Sequence, residues 1–243
     1  MQPVFVLGFK IQYYKQCVLR LMQTNYFDKM TGAKIRAALF DLDGVVFDTE
    51  SQYSIFWREQ CEKYHPDKPG LENVIKGQTL VEIFEKYFSE FKDEQAEIVS
   101  RLNEFEQKMS FEYVAGFNDF IVSLRQKGIK TAVVTSSNLM KMHSVYSTHG
   151  EFKQLFDVIL TSEDFERSKP DPDCYFKGAA ALGVVPSECM VFEDSFNGLK
   201  SGRAAGMTVV GLSTTNTVDA IRPLCDIVIP DFKHVPVQLE DVL

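Results

Sequence analysis

Ile35-Arg36-Ala37-Ala38-Leu39-Phe40-Asp41-Leu42-Asp43-Gly44-Val45-Val46-Phe47-Asp48-Thr49 is the stretch from which the rest of the chain is read. Its first half is short and aliphatic, the composition of a strand buried on both faces of a parallel sheet. The apolar run ends at Asp41 and Asp43, so both carboxylates stand at a strand's carboxyl end. That is the edge where open α/β sheets bind ligands. Taken alone, Asp43-Gly44 reads first as a plain polar turn. What else arrives at the same edge decides between the two.

From Gly116 onward, helix and strand patterns alternate. Phe117, Phe120, Ile121 and Leu124 mark a helix stopped by Gly128, and Lys130 to Val134 reads as a strand ending in Thr135-Ser136-Ser137-Asn138. A helix from Asn138 to His149 precedes a strand from Phe156 to Leu160. After Ser168-Lys169-Pro170-Asp171-Pro172 come a helix to Leu182 and a strand Cys189 to Phe192 that ends in Glu193-Asp194. A helix over Gly198 to Ala205 and strands Thr208 to Leu212 and Asp226 to Ile229 close the series. Such alternation predicts an α/β fold with a Rossmann-like parallel sheet, right-handed crossovers and every strand's carboxyl end on one edge. Residues 34–48 and 114–243 are expected to form this core.

Between them, residues 49–113 read as helical throughout. Tyr53, Trp57, Cys61 and Tyr64, then Val81, Phe84 and Phe88, then Ile98, Leu102, Phe105 and Met109 recur at helical spacing. His65 to Gly70 breaks the first helix from the second. Aromatic stripes of this kind are packing surfaces rather than a cofactor box. The segment holds eight Lys and Arg against fourteen Asp and Glu, which makes it a poor platform for nucleic acid. Residues 1–33 show aromatic and apolar side chains without a sustained period; they are an N-terminal extension of unknown role, readable as an overlong translation start before Met30 or as a surface helix near Tyr13 to Met22.

A net charge of −8 over the 243 residues repels polyanions, whereas a small anion held through a metal stays compatible. Five scattered cysteines with no Cys-x-x-Cys pair suit a reducing cytoplasm. No apolar run approaches the roughly 20 residues that span a bilayer. The expected protein is cytoplasmic and monomeric, with a small molecule as its partner and neither nucleic acid nor membrane.

Four acidic groups, a hydroxyl and a lysine at one sheet edge point to a magnesium ion and a phosphoryl group, since magnesium takes carboxylates, waters and phosphate oxygens. Asp41 and Asp194 are natural ligands. A carboxylate can also attack phosphorus to give an aspartyl-phosphate. A second acid must then protonate the departing alkoxide and activate water, and Asp43 lies two residues away. Lys169 supplies positive charge for the phosphoryl oxygens and Thr135 a donor hydroxyl. Each residue alone has an ordinary explanation: Thr135 as a strand end, Lys169 as a solvated loop charge, Glu193-Asp194 as a helix cap. All of them together at one edge would require four coincidences. The histidines His65, His143, His149 and His234 fit surface or satisfied core positions.

F-D-L-D-G-V-V-F-D-T (residues 40–49), T-S-S (135–137), S-K-P-D-P-D (168–173) and V-F-E-D-S-F-N-G (191–198) resemble the four motifs of the haloacid dehalogenase superfamily, in its branch of helical-cap phosphatases and β-phosphoglucomutases. The resemblance implies Asp41 as nucleophile, Asp43 as general acid and base, and Thr135 and Lys169 as phosphate binders. It implies magnesium held by Asp41, Asp194, Glu193 and the Asp43 backbone carbonyl, and a cap formed by the inserted helices. Ser136, Ser137 and Asn138 either offer donors to phosphate or cap a helix. Lys76 and Gly77 match a substrate-binding loop of the cap. The mutases add a histidine and an arginine where this chain has Tyr53 and Leu80, so a phosphatase acting on a sugar phosphate or nucleoside monophosphate is the expected function. A phosphosugar mutase and an inactive phosphate-binding protein are the alternatives.

Overall fold

The computed structural model describes residues 34–76, 78–237 and 239. The N-terminal extension 1–33 and Gly77 of the cap loop lie outside the described residues. Six strands, β1 (Ala37–Phe40), β2 (Lys130–Val134), β3 (Val158–Leu160), β4 (Cys189–Glu193), β5 (Thr208–Leu212) and β6 (Ile227–Ile229), form one sheet. All neighbours are parallel, in the order β3-β2-β1-β4-β5-β6. The Rossmann-like α/β expectation therefore holds. After β1 the chain builds outward through β2 and β3, then crosses to β4 on the other side of β1. That reversal opens a crevice above the carboxyl end of β1, the ligand position of doubly wound sheets.

The strands are buried on both faces, as their unbroken apolar runs require. Ala38 and Phe40 of β1 join Val133, Phe192 and Val210 on one face, packed under α5 (Phe117–Gln126) and α6 (Leu139–Thr148). Ala37 and Leu39 point the other way, with Ala132, Val134 and Val191, against α7 (Asp173–Leu182). Phe40 sits at the centre of the first face: its ring stacks on Phe192 at 4.7 Å and meets Phe117 edge-on at 5.7 Å. Burying a side chain of this size contributes about 1.5–3 kcal/mol. Register carries this packing to the site. Phe40 lies level with Val133 and Phe192, which brings Asp41, Thr135 and Glu193 to one rim.

The inserted segment folds as α1 (Glu50–Tyr64), α2 (Leu71–Val74), α3 (Leu80–Tyr87) and α4 (Gln95–Glu106). Phe56, Trp57, Cys61, Ile83, Phe88, Ile98 and Leu102 close a hydrophobic core of their own, so the aromatic stripes are packing surfaces as expected. The short α2 had no periodic signal, being a single turn. In α3 the facing residue is Ile83, whereas Val81 is 65% exposed, because Thr79 caps the helix at Glu82 N and sets its rotation. Met109 lies beyond the end of α4 and packs into the main core instead.

Strand ends also differ from the periodic reading. β3 starts at Val158, with Phe156 turned into the core, and β6 starts at Ile227 because the Asp226 carboxylate accepts from Val209 N at 2.8 Å. The α8 helix runs Phe196–Ala204, two residues earlier than expected, since Ser195 caps it by accepting from Gly198 N. Among the described residues Cys61, Cys174, Cys189 and Cys225 are free and buried, and no helix is long and apolar enough to cross a membrane. His65 and His149 are satisfied by the carbonyls of Tyr87 and Phe111.

Candidate active site

Asp41 begins where β1 stops, its N–H donating to Phe192 O at 3.0 Å. The Lys169 ammonium is fully buried and donates to Asp41 Oδ1 at 2.6 Å, Glu193 Oε1 at 2.7 Å and Val134 O at 3.0 Å. Burial alone would lower its pKa, but Asp41 and Glu193 outweigh that and keep it charged. The solvated-charge explanation of Lys169 is thereby excluded.

Three carboxylates, Asp41, Glu193 and Asp194, present oxygens within 4.8 Å of one another. One lysine contacts two of them, Asp41 and Glu193, so the trio fully ionised would carry two uncompensated negative charges in a buried setting. Burial, opposed by Lys169 and reinforced by Glu193 and Asp43, pushes the Asp41 pKa up to about 7. Asp194 is raised well above the carboxylate range by burial and by repulsion from Glu50, Glu193 and Asp41. A divalent cation is the charge this donor set lacks, and hard carboxylate oxygens are magnesium's preferred ligands.

Glu193 differs from the other two. Its Oε1 accepts from Lys169 and Tyr175 Oη, and its Oε2 from Asp194 N, Ser195 N and Ser195 Oγ. With both oxygens occupied by protein donors, Glu193 orients Lys169 and the loop bearing Asp194. Gly198 makes room for it: a Cβ there would lie 1.8 Å from Glu193 Oε1. Asp194 accepts from Thr215 Oγ1, and Asn216 Nδ2 donates to its carbonyl at 2.9 Å. Gly44 serves the same end. Its φ of +74° forms the turn, and a Cβ would stand 2.1 Å from Asp194 Oδ2. The turn reading of Asp43-Gly44 therefore holds, and the turn stands against the acidic cluster.

Asp43 is held by three donors, Thr49 Oγ1, Ser137 Oγ at 2.9 Å and Lys141 Nζ. Thr135, buried, accepts from Ser137 N at 3.0 Å and lines the cavity beside Ser136. Asn138 caps α6, accepting from Lys141 N at 3.0 Å, which is the capping alternative for that residue. Lys76 reaches Glu50 at 3.4 Å, and its carbonyl accepts from Asn197 Nδ2 at 3.0 Å, tying the cap loop to the core. Core and cap together enclose a cavity of about 610 Å³ whose walls include Asp41, Asp43, Thr135, Asp194, Lys76 and Glu106.

Lys141, Tyr175, Asn197 and Thr215 escaped the sequence reading. Lys141 had a signal: a lysine in the first turn of a helix opposes the dipole there. It is 1% exposed, with Nζ on Asp43 and 4.4 Å over the Tyr53 ring. The others contribute through tertiary contacts that no local pattern marks.

A parallel sheet with an acidic site at the carboxyl end of β1, a buried lysine and a helical cap defines the class of capped α/β hydrolases. The family model for haloacid dehalogenase-like hydrolases matches residues 38–212, and the chain belongs to that family. It is similar to validoxylamine A 7'-phosphate phosphatase of Streptomyces hygroscopicus subsp. limoneus, 29% identical over 82% of this chain and 95% of the relative. Glycerol-1-phosphate phosphohydrolase 1 of Saccharomyces cerevisiae is 28% identical over 86% and 87%. The structure of β-phosphoglucomutase from Clostridium difficile shares the fold, with a TM-score of 0.70 at 19% identity over 86% of this chain and 96% of that one.

Proposed function

We propose that this chain is a magnesium-dependent phosphatase that hydrolyses a small phosphomonoester through an aspartyl-phosphate on Asp41. The observation that carries the proposal is the buried trio Asp41, Glu193 and Asp194 compensated by Lys169 alone. Magnesium, held by Asp41, Asp194 and the Asp43 carbonyl with Glu193 behind them, would supply the missing positive charge and polarise the phosphoryl group. Lys169 occupies Asp41 Oδ1, which leaves Oδ2 to attack phosphorus as the ester P–O bond breaks. Thr135 donates to a phosphoryl oxygen, and the Lys169 ammonium, its three N–H groups committed to Asp41, Glu193 and Val134 O, lends its charge from behind Asp41. Asp43 hands its proton to the departing alkoxide, then takes one from the water that attacks the acyl phosphate and frees Asp41. Relatives named as phosphatases of phosphorylated small molecules support this substrate class.

Hydrolysis rather than mutase chemistry is favoured by the cap. Leu80 cannot grip a second phosphate as an arginine would, and the Tyr53 hydroxyl is engaged by Glu106 Oε1 at 2.6 Å. Incubation with β-glucose 1-phosphate and catalytic glucose 1,6-bisphosphate tests the choice. Release of inorganic phosphate should outpace glucose 6-phosphate; the reverse would establish a mutase. No turnover of any phosphomonoester with magnesium would indicate a binding protein.

A further inference from the structure

We propose that the cap wall selects leaving groups that donate hydrogen bonds, namely polyols and amino polyols, through Glu106, and disfavours leaving groups that carry a second anion. The proposal rests on the phosphomonoester reading above and names the substrate class for that same site.

Glu106 closes α4 and is 6% exposed, yet it lines the cavity shared with Asp41 and Asp43. Its Oε1 accepts from Tyr53 Oη at 2.6 Å, whereas its Oε2 is buried with no hydrogen-bond partner among the described residues. A buried carboxylate oxygen without a donor is expensive to keep, and a site that retains one commonly satisfies it with a ligand. Burial raises the Glu106 pKa, and Lys141, the cation that opposes this, is committed to Asp43. Tyr53 spends its proton on Oε1. No donor among the described residues reaches Oε2, and the cavity it lines is where a hydroxyl or an ammonium of the leaving group would stand.

The surrounding charge agrees. The cap residues lining the cavity include Glu50, Glu72, Glu82, Glu85 and Glu106 against Lys76; Lys76 is paired with Glu50 and Glu82 with Lys86 at 2.8 Å, which leaves Glu72, Glu85 and Glu106 to face the cavity. Glu72, 8% exposed, has only long contacts, to Arg58 Nε at 3.6 Å and Asn73 Nδ2 at 3.3 Å. Charges interact strongly across a partly dehydrated cavity. A phosphoryl group is met at the floor by Thr135, with the Lys169 charge behind Asp41, whereas a second phosphate or a carboxylate carried toward the cap would face this acidic wall, Arg167 lying on the core side. Hydroxyls and ammonium groups are what the wall can bind.

The test is a kcat/KM panel on the whole protein with magnesium: glucose 6-phosphate and glycerol 1-phosphate as polyol esters, glucosamine 6-phosphate as the ammonium ester, ethyl phosphate without donors, and phosphoglycolate and fructose 1,6-bisphosphate as acidic ones. The polyol and amino-polyol esters should exceed both acidic esters by at least about tenfold. Glucosamine 6-phosphate above glucose 6-phosphate would assign the donor as ammonium, and parity would assign it as hydroxyl. Glu106→Gln preserves shape and the Tyr53 contact, and should lower the ratio of polyol ester to ethyl phosphate by about tenfold, chiefly through KM. Acidic esters turned over as well as polyol esters, or an unchanged ratio in the variant, would overturn the inference and leave the phosphatase reading standing. Should the variant fail to fold, the wild-type panel decides alone. No turnover of any ester would overturn both.

Discussion

Replacing Lys169 with methionine should destabilise the metal-free protein, and by an amount that depends on pH. Methionine fills much the same space as the lysine stem, so the loss is electrostatic rather than a cavity effect. The substitution removes the contacts to Asp41 at 2.6 Å, Glu193 at 2.7 Å and Val134 O at 3.0 Å, all in a setting with no exposure at Lys169. Breaking a buried ion pair from one side costs about 3–5 kcal/mol, because the partner is left charged and unpaired. Here one cation serves two carboxylates, which places the loss toward the upper end at pH 8. The Asp41 pKa already stands near 7 with Lys169 present; without the ammonium it must rise further. A carboxyl whose folded pKa exceeds its unfolded value binds more protons when folded, so stability falls as pH climbs from about 4 through the folded pKa. At pH 5.5 the orphaned carboxyls can protonate, and the loss should shrink. Guanidinium unfolding of wild type and Lys169→Met in EDTA at both pH values measures the two differences. A loss below about 1 kcal/mol at pH 8, or a larger loss at pH 5.5 than at pH 8, would refute the view that Lys169 chiefly neutralises this buried pair.

Asp43→Asn should slow turnover by about 10²- to 10⁴-fold, since the alkoxide would leave unprotonated; steady-state kinetics within a factor of about two of wild type would remove Asp43 from the proton transfer. Magnesium must displace protons from Asp41 and Asp194, both raised by burial, so the rise in melting temperature it produces should grow from pH 5.5 to pH 8, its apparent affinity falling at least about tenfold per pH unit below about 7; a thermal shift independent of pH would argue against these carboxylates as ligands. Gly44→Ala forces a side chain into φ +74° and against Asp194 Oδ2, which should cost about 1–2 kcal/mol and raise the magnesium concentration needed for half-maximal activity. Unchanged metal dependence would show that Asp194 can yield without consequence.

The alternation of strand and helix and the residues at each strand tip were legible in the chain itself. Hydrophobic periodicity is a local property, and buried parallel strands write it as unbroken apolar runs that stop where function begins. Asp41, Asp43, Thr135, Glu193 and Asp194 each stand at such a stop, whereas Lys169 lies in the loop between β3 and α7; parallel topology alone brings strand tips to one edge. Which groups would touch could not be read that way. Lys169 and Asp41 are 128 positions apart, and their contact depends on register, crossover packing and rotamer together. Tertiary structure alone brought Lys169 and Tyr175 to Oε1 of Glu193 and set Lys141 against Asp43. It also left Oε2 of Glu106 buried without a donor. Local sequence dictates where an element begins, ends and faces to a first approximation. The direction of a polar side chain at a boundary between two packed bodies is decided by whatever partner the other body brings, and no residue near it in sequence carries that information.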